Sequence, residues 1–359
     1  MRIVIAGGGT GGHLYPGIAV AREVLDRQPH TVVSFAGTAS GIEARVIPRE
    51  GFPLDVIRSG GLKGKGIGDR LKGLALLPLG LADAWRVISR RQPGLVIGVG
   101  GYSSGPLVLV AALRRIPTMV LEQNAMPGLT NRWLAAVVDA AAVTYEASLP
   151  FFRGRGFMAG NPVRAEFLGA GAESQRTTSD RARVLVFGGS QGAHAINMAM
   201  VDAAPRLAAA GDRYEWVHQT GQRDLEEVRD AFRRAGLVAR VEAFFYEMDR
   251  EMRGADLLVC RAGATTLAEL TAAGRPAILI PLPTATDDHQ RKNAEELRRV
   301  GAVEVIDQRD LTGDRLADRI LALIADPERR RQMSKAASSL ARPDAASRIV
   351  DRALQLARS

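Results

Sequence analysis

Short β-branched runs alternate with longer stretches of helical period along all 359 residues, and each half opens with such a run ending in a cluster of glycines. Alternation of this kind builds βαβ units around a parallel sheet. In the first half strands are predicted near 3–6, 31–35, 54–57, 95–99, 118–121 and 140–144. In the second they are predicted near 184–187, 214–219, 238–243, 257–259 and 277–280. The class is therefore α/β, with two doubly wound sheets, and at roughly 100–200 residues per domain the length holds both. The pattern breaks at Gly160-Asn161-Pro162-Val163-Arg164, and a Gly/Ser/Thr stretch of low hydrophobicity follows at 169–181, the composition of a domain junction. An N-terminal domain is expected over 1–163 and a C-terminal one over 164–342. A break at Arg342-Pro343 precedes a last helical stretch, 343–359, expected to cross back onto the first domain.

With 46% hydrophobic and 24% charged residues the chain is of globular composition, which excludes disordered, collagen-like and disulfide-scaffold classes. Cys260 is the single cysteine, so no internal disulfide is available and a reducing, cytoplasmic setting is expected. The apolar start is too short for a secretory signal, and no stretch reaches the ~20 apolar residues of a membrane span. A protein kept in solution or held at a membrane surface is expected. The formal charge of +9 is one-sided: residues 1–164 carry 19 Lys and Arg against 10 Asp and Glu, and the remainder carries 29 of each. Arg58, Lys63, Lys65, Arg70, Lys72, Arg86, Arg90 and Arg91 cluster with only Asp69 and Asp83 among them. An anionic partner for the first half is implied, whether lipid headgroups, nucleic acid or a phosphorylated substrate.

The chemistry concentrates where strands run into glycines. Gly7-Gly8-Gly9-Thr10-Gly11-Gly12-His13 follows the first strand, and Gly188-Gly189-Ser190-Gln191-Gly192-Ala193 opens the second half in the same way. Glycine admits a ligand close to the backbone, and free N–H groups at the following helix start attract phosphate; a tight turn without a ligand is the alternative. Gly7, Gly9 and Gly12 spell the dinucleotide fingerprint, but that fold wants an acid at the end of the second strand. Here that strand ends Phe35-Ala36-Gly37-Thr38. A third patch, Gly98 to Pro106, is suited either to a diphosphate on the acceptor side or to a structural turn. The strongest signal is Arg261-Ala262-Gly263-Ala264-Thr265-Thr266-Leu267-Ala268-Glu269 after an apolar strand. Thr265 and Thr266 sit in the first turn of a helix, where a pyrophosphate is attracted. Glu269 is one turn on and on the same face as Thr265, suited to accept both hydroxyls of a nucleotide ribose; a capped helix with a solvated glutamate is the bland reading. A polar loop near Asp287-Asp288-His289-Gln290 offers groups that read sugar hydroxyls.

Together with Glu122-Gln123-Asn124, Gly128-Leu129-Thr130-Asn131 and Gly160–Arg164, these blocks resemble, in order and across essentially the whole chain, the MurG family of UDP-N-acetylglucosamine:lipid I transferases of bacterial peptidoglycan synthesis. The resemblance implies a GT-B glycosyltransferase, two Rossmann-like domains facing a cleft with the donor nucleotide in the C-terminal one. It implies transfer of N-acetylglucosamine to the muramyl 4-hydroxyl of lipid I with inversion, giving lipid II. Carried over residue by residue, the substrate-binding positions are Thr10, Gly11, Gly12, Asn124, Arg164, Ser190, Ala264, Thr265, Thr266, Leu267, Ala268, Glu269 and Gln290. Phe245 stands where the family packs the uracil with an apolar residue, an aromatic departure from that pattern. The partners implied are UDP-N-acetylglucosamine, lipid I and an anionic membrane surface, on the cytoplasmic face of the cell membrane, with cell-wall and division proteins as candidates.

An inverting displacement needs a base for the acceptor proton and positive potential at the departing diphosphate. His13 is the candidate base, with a helix-start histidine bonding backbone as the alternative; Glu122 is a second base or the group that orients the first. Arg164 and the helix start at 264–269 supply the potential. No Asp-x-Asp motif is present, so no metal and no other cofactor is expected. The apolar run Gly73-Leu74-Ala75-Leu76-Leu77-Pro78-Leu79-Gly80-Leu81-Ala82 beside Lys72 suits an anionic membrane surface, or else a core helix. Two other classes compete. A nicotinamide oxidoreductase lacks its strand-end acid, and a nucleic-acid binder lacks a stacking platform, with 18 aromatics in the chain and only Tyr102 in the basic glycine region. A GT-B enzyme with another nucleotide sugar or glycolipid acceptor keeps the fold and changes the substrate.

Overall fold

The computed structural model describes residues 1–59, 67–167, 181–189, 191–211 and 213–358. The chain forms two compact units, Met1–Ala165 with Arg342–Ser359, and Glu166–Ala341.

The first unit is built on a seven-stranded sheet: β1 (Arg2–Gly7), β2 (Val32–Gly37), β3 (Leu54–Val56), β4 (Leu95–Gly100), β5 (Thr118–Glu122), β6 (Ala140–Val143) and β7 (Gly156–Met158). All pairings are parallel, in the order β3-β2-β1-β4-β5-β6-β7. Its central strands β1 and β4 are rich in Ile, Val and Leu, as expected where helices cover both faces of a parallel sheet; every residue of β4 is buried. The helices are α1 (Gly11–Arg27), α2 (Glu43–Arg49), α3 (Ile67–Arg91), α4 (Ser104–Leu113) and α5 (Leu129–Leu134).

The second unit repeats the plan with β8 (Ala182–Phe187), β9 (Tyr214–Gln219), β10 (Ala239–Glu242), β11 (Leu257–Cys260), β12 (Ala277–Leu279) and β13 (Val303–Val305). Its parallel order is β10-β9-β8-β11-β12-β13. Around it lie α6 (His194–Ala209), α7 (Leu225–Ala235), α8 (Met248–Gly254), α9 (Ala264–Ala273), α10 (His289–Arg299), α11 (Gly313–Ile324) and α12 (Pro327–Ser339). The final helix, α13 (Ala345–Arg358), belongs to the first unit. Its apolar residues Ile349, Val350, Ala353 and Leu356 recur at helical spacing and share a core with Val20, Ala21 and Val24 of α1. Arg27 of α1 reaches Asp351 and Ser347 at its polar edge.

The eleven strands predicted from the sequence are all present, with ends shifted by no more than two residues. The edge strands β7 and β13 were not anticipated. Neither presents the buried apolar run of the equally short β12: Gly156-Phe157-Met158 is half-buried throughout and Val303-Glu304-Val305 has a glutamate at its centre, and pairing along β6 and β12 makes them strands. The glycine-rich stretch expected as a junction lies outside the described residues from 169 to 180.

The apolar run expected at 73–82 falls within α3, whose side chains are described from Leu76 onward. There the helix is two-faced. Gly80, Ala84, Val87 and Ile88 are buried, the last three in a core with Leu107 and Val108 of α4. Pro78, Leu79, Ala82 and Trp85 face outward, with Leu79 42% and Trp85 54% exposed. The Arg114 guanidinium lies 4.7 Å over the Trp85 ring, and neighbouring Leu113 is 73% exposed. The cation cluster is partly neutralised from within. Arg58 clasps Asp83 through two bonds of 2.7 Å, and Arg86 shares that carboxylate. Arg90 and Arg91 both hold the buried Asp55 of β3. Lys63 and Lys65 lie outside the described residues.

Truncating the α13 core residue, Ile349→Ala, is expected to destabilise the protein by about 2–5 kcal/mol. Denaturant unfolding measures it, and an unchanged midpoint would show that α13 contributes no packing.

Candidate active site

In each sheet the strand order reverses once, between β1 and β4 and between β8 and β11. Ligands of doubly wound sheets bind beyond the carboxyl ends of the strands at that switch point. The first and third glycine patches follow β1 and β4; the second glycine cluster and the Arg261–Glu269 block follow β8 and β11. The three glycine patches and the Arg261–Glu269 block thus stand at switch points.

In the first unit, α1 begins directly after the glycines, and His13 and Leu14 bond back to the Thr10 carbonyl, each at 3.2 Å. Thr10 is exposed and Gly11, Gly12 and His13 are half-buried. The loop is held from beneath by Glu43, which is 1% exposed. Its carboxylate accepts the Gly9 N–H at 2.8 Å and the Thr38 N–H and hydroxyl, each at 2.8 Å. A Cβ on Gly8, Gly37 or Gly41 would collide with the Glu43 side chain. Burial pushes the Glu43 carboxyl up, but the N–H donors of Gly9 and Thr38 outweigh it and hold the group below its ordinary value. An acid does follow that strand, Glu43, six residues beyond the end of β2. It is buried and bonded to backbone, so it presents nothing to a dinucleotide ribose.

The third patch packs against the first. Gly100, at φ +96°, stands where a Cβ would lie 2.7 Å from His13 Nδ1, and Ser104 turns its hydroxyl back onto the Gly101 carbonyl. The imidazole Nδ1 is 3.2 Å from Gln123 Oε1, and Gln123 Nε2 donates to the Val99 carbonyl at 3.1 Å. Glu122 is 2% exposed and accepts four donors: the Asn124 N–H at 3.0 Å and Nδ2 at 3.2 Å, the Gly128 N–H at 3.0 Å and Asn131 Nδ2 at 2.9 Å. Burial drives its pKa up, against those bonds. Its surroundings are those of a loop organiser, and Asn124, half-buried, is one of the residues it organises. Arg164 lies 5.5 Å over the Tyr15 ring of α1, beside Gly11, whose Cβ would meet that ring at 3.1 Å.

In the second unit Gly263 precedes α9 with extended backbone and no side chain caps the helix. The first-turn N–H groups of Ala264, Thr265 and Thr266 precede the first helical bond, from Leu267 N–H to the Gly263 carbonyl at 3.0 Å. Ala264, Thr265, Thr266 and Ala268 are half-buried, and Glu269 is buried on the same face as Thr265. Leu267 belongs to the core, so only its backbone can meet a ligand. Gln290 accepts N–H groups from Ala262 at 3.3 Å and Leu282 at 3.0 Å, tying the turns after β11 and β12. His289 is bonded through Nδ1 to the Thr286 carbonyl. Arg261 reaches the Ile280 carbonyl and Gln308, and burial lowers its pKa.

Phe245 is buried beneath the Arg240 guanidinium, 4.6 Å from its ring centre. Its N–H donates to Gln219 Oε1 at 2.7 Å, and Gln219 Nε2 donates to the Gly189 carbonyl at 3.0 Å. Gln219 thereby joins the second glycine cluster to the Phe245 segment. Ser190 lies outside the described residues. Gly192, at φ +72°, sits directly against the Thr220 carbonyl, with no room for a Cβ. That carbonyl is held by Asn197 Nδ2 at 2.8 Å, which also reaches Asp224. His218, its pKa pushed down to about 3 by burial against the opposing Asp224 charge, is neutral and donates from Nε2 to Asn197 Oδ1 at 3.0 Å. Among the described residues no three His, Cys, Asp or Glu side chains come together as a metal site.

Glu43, Gln219 and Asn197 carry no motif in the sequence, and only burial against a glycine loop marks each of them; Gln123 stands within the Glu122-Gln123-Asn124 block, but nothing in that block assigned it a role.

Two parallel α/β sheets, each with glycine-rich loops at its switch point, are the architecture of a GT-B glycosyltransferase. The N-terminal domain of glycosyltransferase family 28 matches residues 3–143, and the C-terminal domain of that family matches residues 183–349. The chain is 48% identical over 359 residues to the UDP-N-acetylglucosamine–N-acetylmuramyl-(pentapeptide) pyrophosphoryl-undecaprenol N-acetylglucosamine transferase of Anaeromyxobacter sp. (strain K), covering 100% of this chain and 94% of that protein. It is 49% identical to the Geobacter sulfurreducens protein of the same name, over 98% and 97% of the two chains. The crystal structure of Acinetobacter baumannii MurG superposes with a TM-score of 0.80 at 28% identity, over 99% of each chain. A UDP-GlcNAc 2-epimerase from Neisseria meningitidis, at TM-score 0.69 and 12% identity, shares the fold alone. The chain belongs to glycosyltransferase family 28 and, within it, to the MurG family.

Glu43→Gln keeps the shape of the side chain but sets an NH₂ against one of its backbone donors. A loss of about 1–3 kcal/mol is expected in denaturant unfolding; a wild-type midpoint would mean that the carboxylate does not hold the loop.

Proposed function

We propose that this enzyme moves N-acetylglucosamine from UDP-N-acetylglucosamine to the muramyl 4-hydroxyl of undecaprenyl-pyrophosphoryl-MurNAc-pentapeptide, inverting the anomeric carbon. The observation that carries this reading is the near-half identity, over the full length, with relatives named for that transfer.

The acceptor oxygen attacks the anomeric carbon, the bond from that carbon to the diphosphate oxygen breaks with its electron pair, and UDP leaves. His13 takes the acceptor proton, a role in which a positioned imidazole contributes about 10²–10⁴-fold. Glu122 is assigned to holding the loop that carries Asn124, because both its oxygens are engaged by Asn124, Gly128 and Asn131. The α9 start, Ala264 to Ala268, meets the donor diphosphate with backbone N–H groups and hydroxyls, where charge grows as UDP departs. Glu269 accepts the ribose hydroxyls, Phe245 packs the uracil, and Gln290 and Ser190 complete the donor contacts. In the first unit Thr10, Gly11, Gly12, Asn124 and Arg164 are assigned to substrate, Arg164 supplying positive charge.

The protein is proposed to act peripherally on the cytoplasmic membrane face. No helix among the described residues is long and apolar enough to cross a membrane. The outward stripe of Leu79, Ala82 and Trp85, with Leu113 and Arg114 beside it, supports docking on anionic lipid. Cell-wall and division proteins are further candidate partners.

Calorimetric titration is expected to give binding of UDP and UDP-N-acetylglucosamine but not NAD⁺, and weaker uridine binding by Glu269→Ala; NAD⁺ binding without UDP binding would sink the transferase reading. In steady-state assays with the lipid acceptor, Glu269→Ala should raise the donor KM, and His13→Ala should lower kcat by about 10²–10⁴-fold. Unchanged turnover in the latter would remove His13 as the base, and turnover only with another glycolipid would change the acceptor. Sedimentation with phosphatidylglycerol-containing vesicles should show binding that fades with salt and weakens in Leu79→Ser/Trp85→Ser. Equal binding of that variant would place the membrane face elsewhere.

A further inference from the structure

We infer that Gln123 is the positioning residue that decides which nitrogen of His13 is basic, an inference that rests on the reading of His13 as the base. Gln123 follows β5 and is buried. The two ends of its amide are chemically different, and the neighbours determine which way it points. One end lies 3.1 Å from the Val99 main-chain carbonyl. A carbonyl oxygen only accepts, so the NH₂ must be at that end. The amide oxygen then faces His13 Nδ1 at 3.2 Å. An amide oxygen also only accepts, so Nδ1 must carry a hydrogen. Neutral imidazole has a single N–H, which leaves the lone pair on Nε2.

The ring is held from a second side by Gly100, where a Cβ would lie 2.7 Å from Nδ1 and 2.9 Å from Cε1. Only glycine leaves that space, and its φ of +96° excludes other residues independently. His13 stands on α1 after β1, Val99 and Gly100 on β4, and Gln123 after β5, three strands adjacent in the sheet. The parallel ladder therefore sets the imidazole's tautomer and its plane together. When Nε2 takes the acceptor proton, the imidazolium keeps its Nδ1–H bond, and the negative end of the Gln123 amide dipole stabilises the new charge. An orienting partner on Nδ1 is how a histidine base is generally kept in its productive tautomer; here a neutral amide fills the place.

The test is the ¹⁵N–¹H long-range correlation spectrum of the full-length protein labelled at histidine, recorded at about pH 8.5, well above the ordinary imidazole range. His13 is identified by the signals missing from His13→Gln. The wild type is expected to show the Nδ1–H tautomer. Gln123→Met, of similar length but without the amide, should move His13 toward Nε2–H. It should also lower kcat by about 10–100-fold with the donor KM little changed. Gln123→Glu, which keeps an acceptor opposite Nδ1 but gives up the donor to the Val99 carbonyl, should restore the Nδ1–H tautomer. An Nε2–H tautomer in the wild type overturns the inference, and that spectrum decides alone if Gln123→Met does not fold. An Nδ1–H tautomer that persists in folded Gln123→Met also overturns it. A tautomer that switches while kcat holds removes His13 from the chemistry. That outcome overturns the base reading, and with it the catalytic role of Gln123, while the geometry at Nδ1 stands.

Discussion

The close approach of two loops, one after β1 and one after β4, governs the first unit. The strands are hydrogen-bonded neighbours up to Ala6 and Gly98, and the register shifts where they give way to glycine. A Cβ on Gly7 would strike Val99 and the Gly100 backbone, and one on Gly101 would strike the Gly8 backbone. The contact is therefore main chain against main chain, and its polar groups must find partners within a few ångströms. Glu43 supplies them from below through Gly9 and Thr38. Gln123 supplies another at Val99 and in doing so meets His13. The histidine's surroundings are thus a consequence of satisfying buried backbone at the switch point.

The second unit solves the same problem with different residues. The second glycine cluster lies against the Thr220 carbonyl, which Asn197 holds, while Gln219 binds the Gly189 carbonyl on one side and Phe245 on the other. Gln290 does for the turns after β11 and β12 what Gln219 does for those after β8 and β10. Gln219, buried, donates to one loop and accepts from the other, while Gln290, half-buried, accepts backbone N–H groups from both of the loops it links. A carboxylate or an ammonium in those positions would bring a charge to be neutralised.

Charge follows a different logic. The cations between 58 and 91 counted along the sequence suggest a basic surface, yet Arg58 and Arg86 meet at Asp83, and Arg90 and Arg91 meet at Asp55. The Arg58 clasp draws the Asp83 carboxyl down to about 2 against the effect of burial, so that pair is intact at neutral pH. These arginines tie α3 to β3 and to the chain after it. A net charge is additive along a chain, whereas the potential at a surface depends on which charges have been paired in three dimensions.

By itself the sequence determined the class of fold, the places of eleven strands, the glycine clusters and the Arg261–Glu269 block, and membership of a transferase family. These are local or periodic: a buried parallel strand is a continuous apolar run, and a phosphate-attracting turn needs glycine beside a helix start. Tertiary structure alone decided that Glu43 would reach back to Gly9 and that Gln123 would face Val99 and His13. It also made Glu122 an organiser of its own loop and gave α3 both a core face and an outward apolar stripe. Those partners are separated by 34 residues for Glu43 and Gly9 and by 110 for His13 and Gln123. A hydrogen bond at such separation leaves no pattern in either segment, because the burial that makes it obligatory exists only once the sheet has brought the strand ends together.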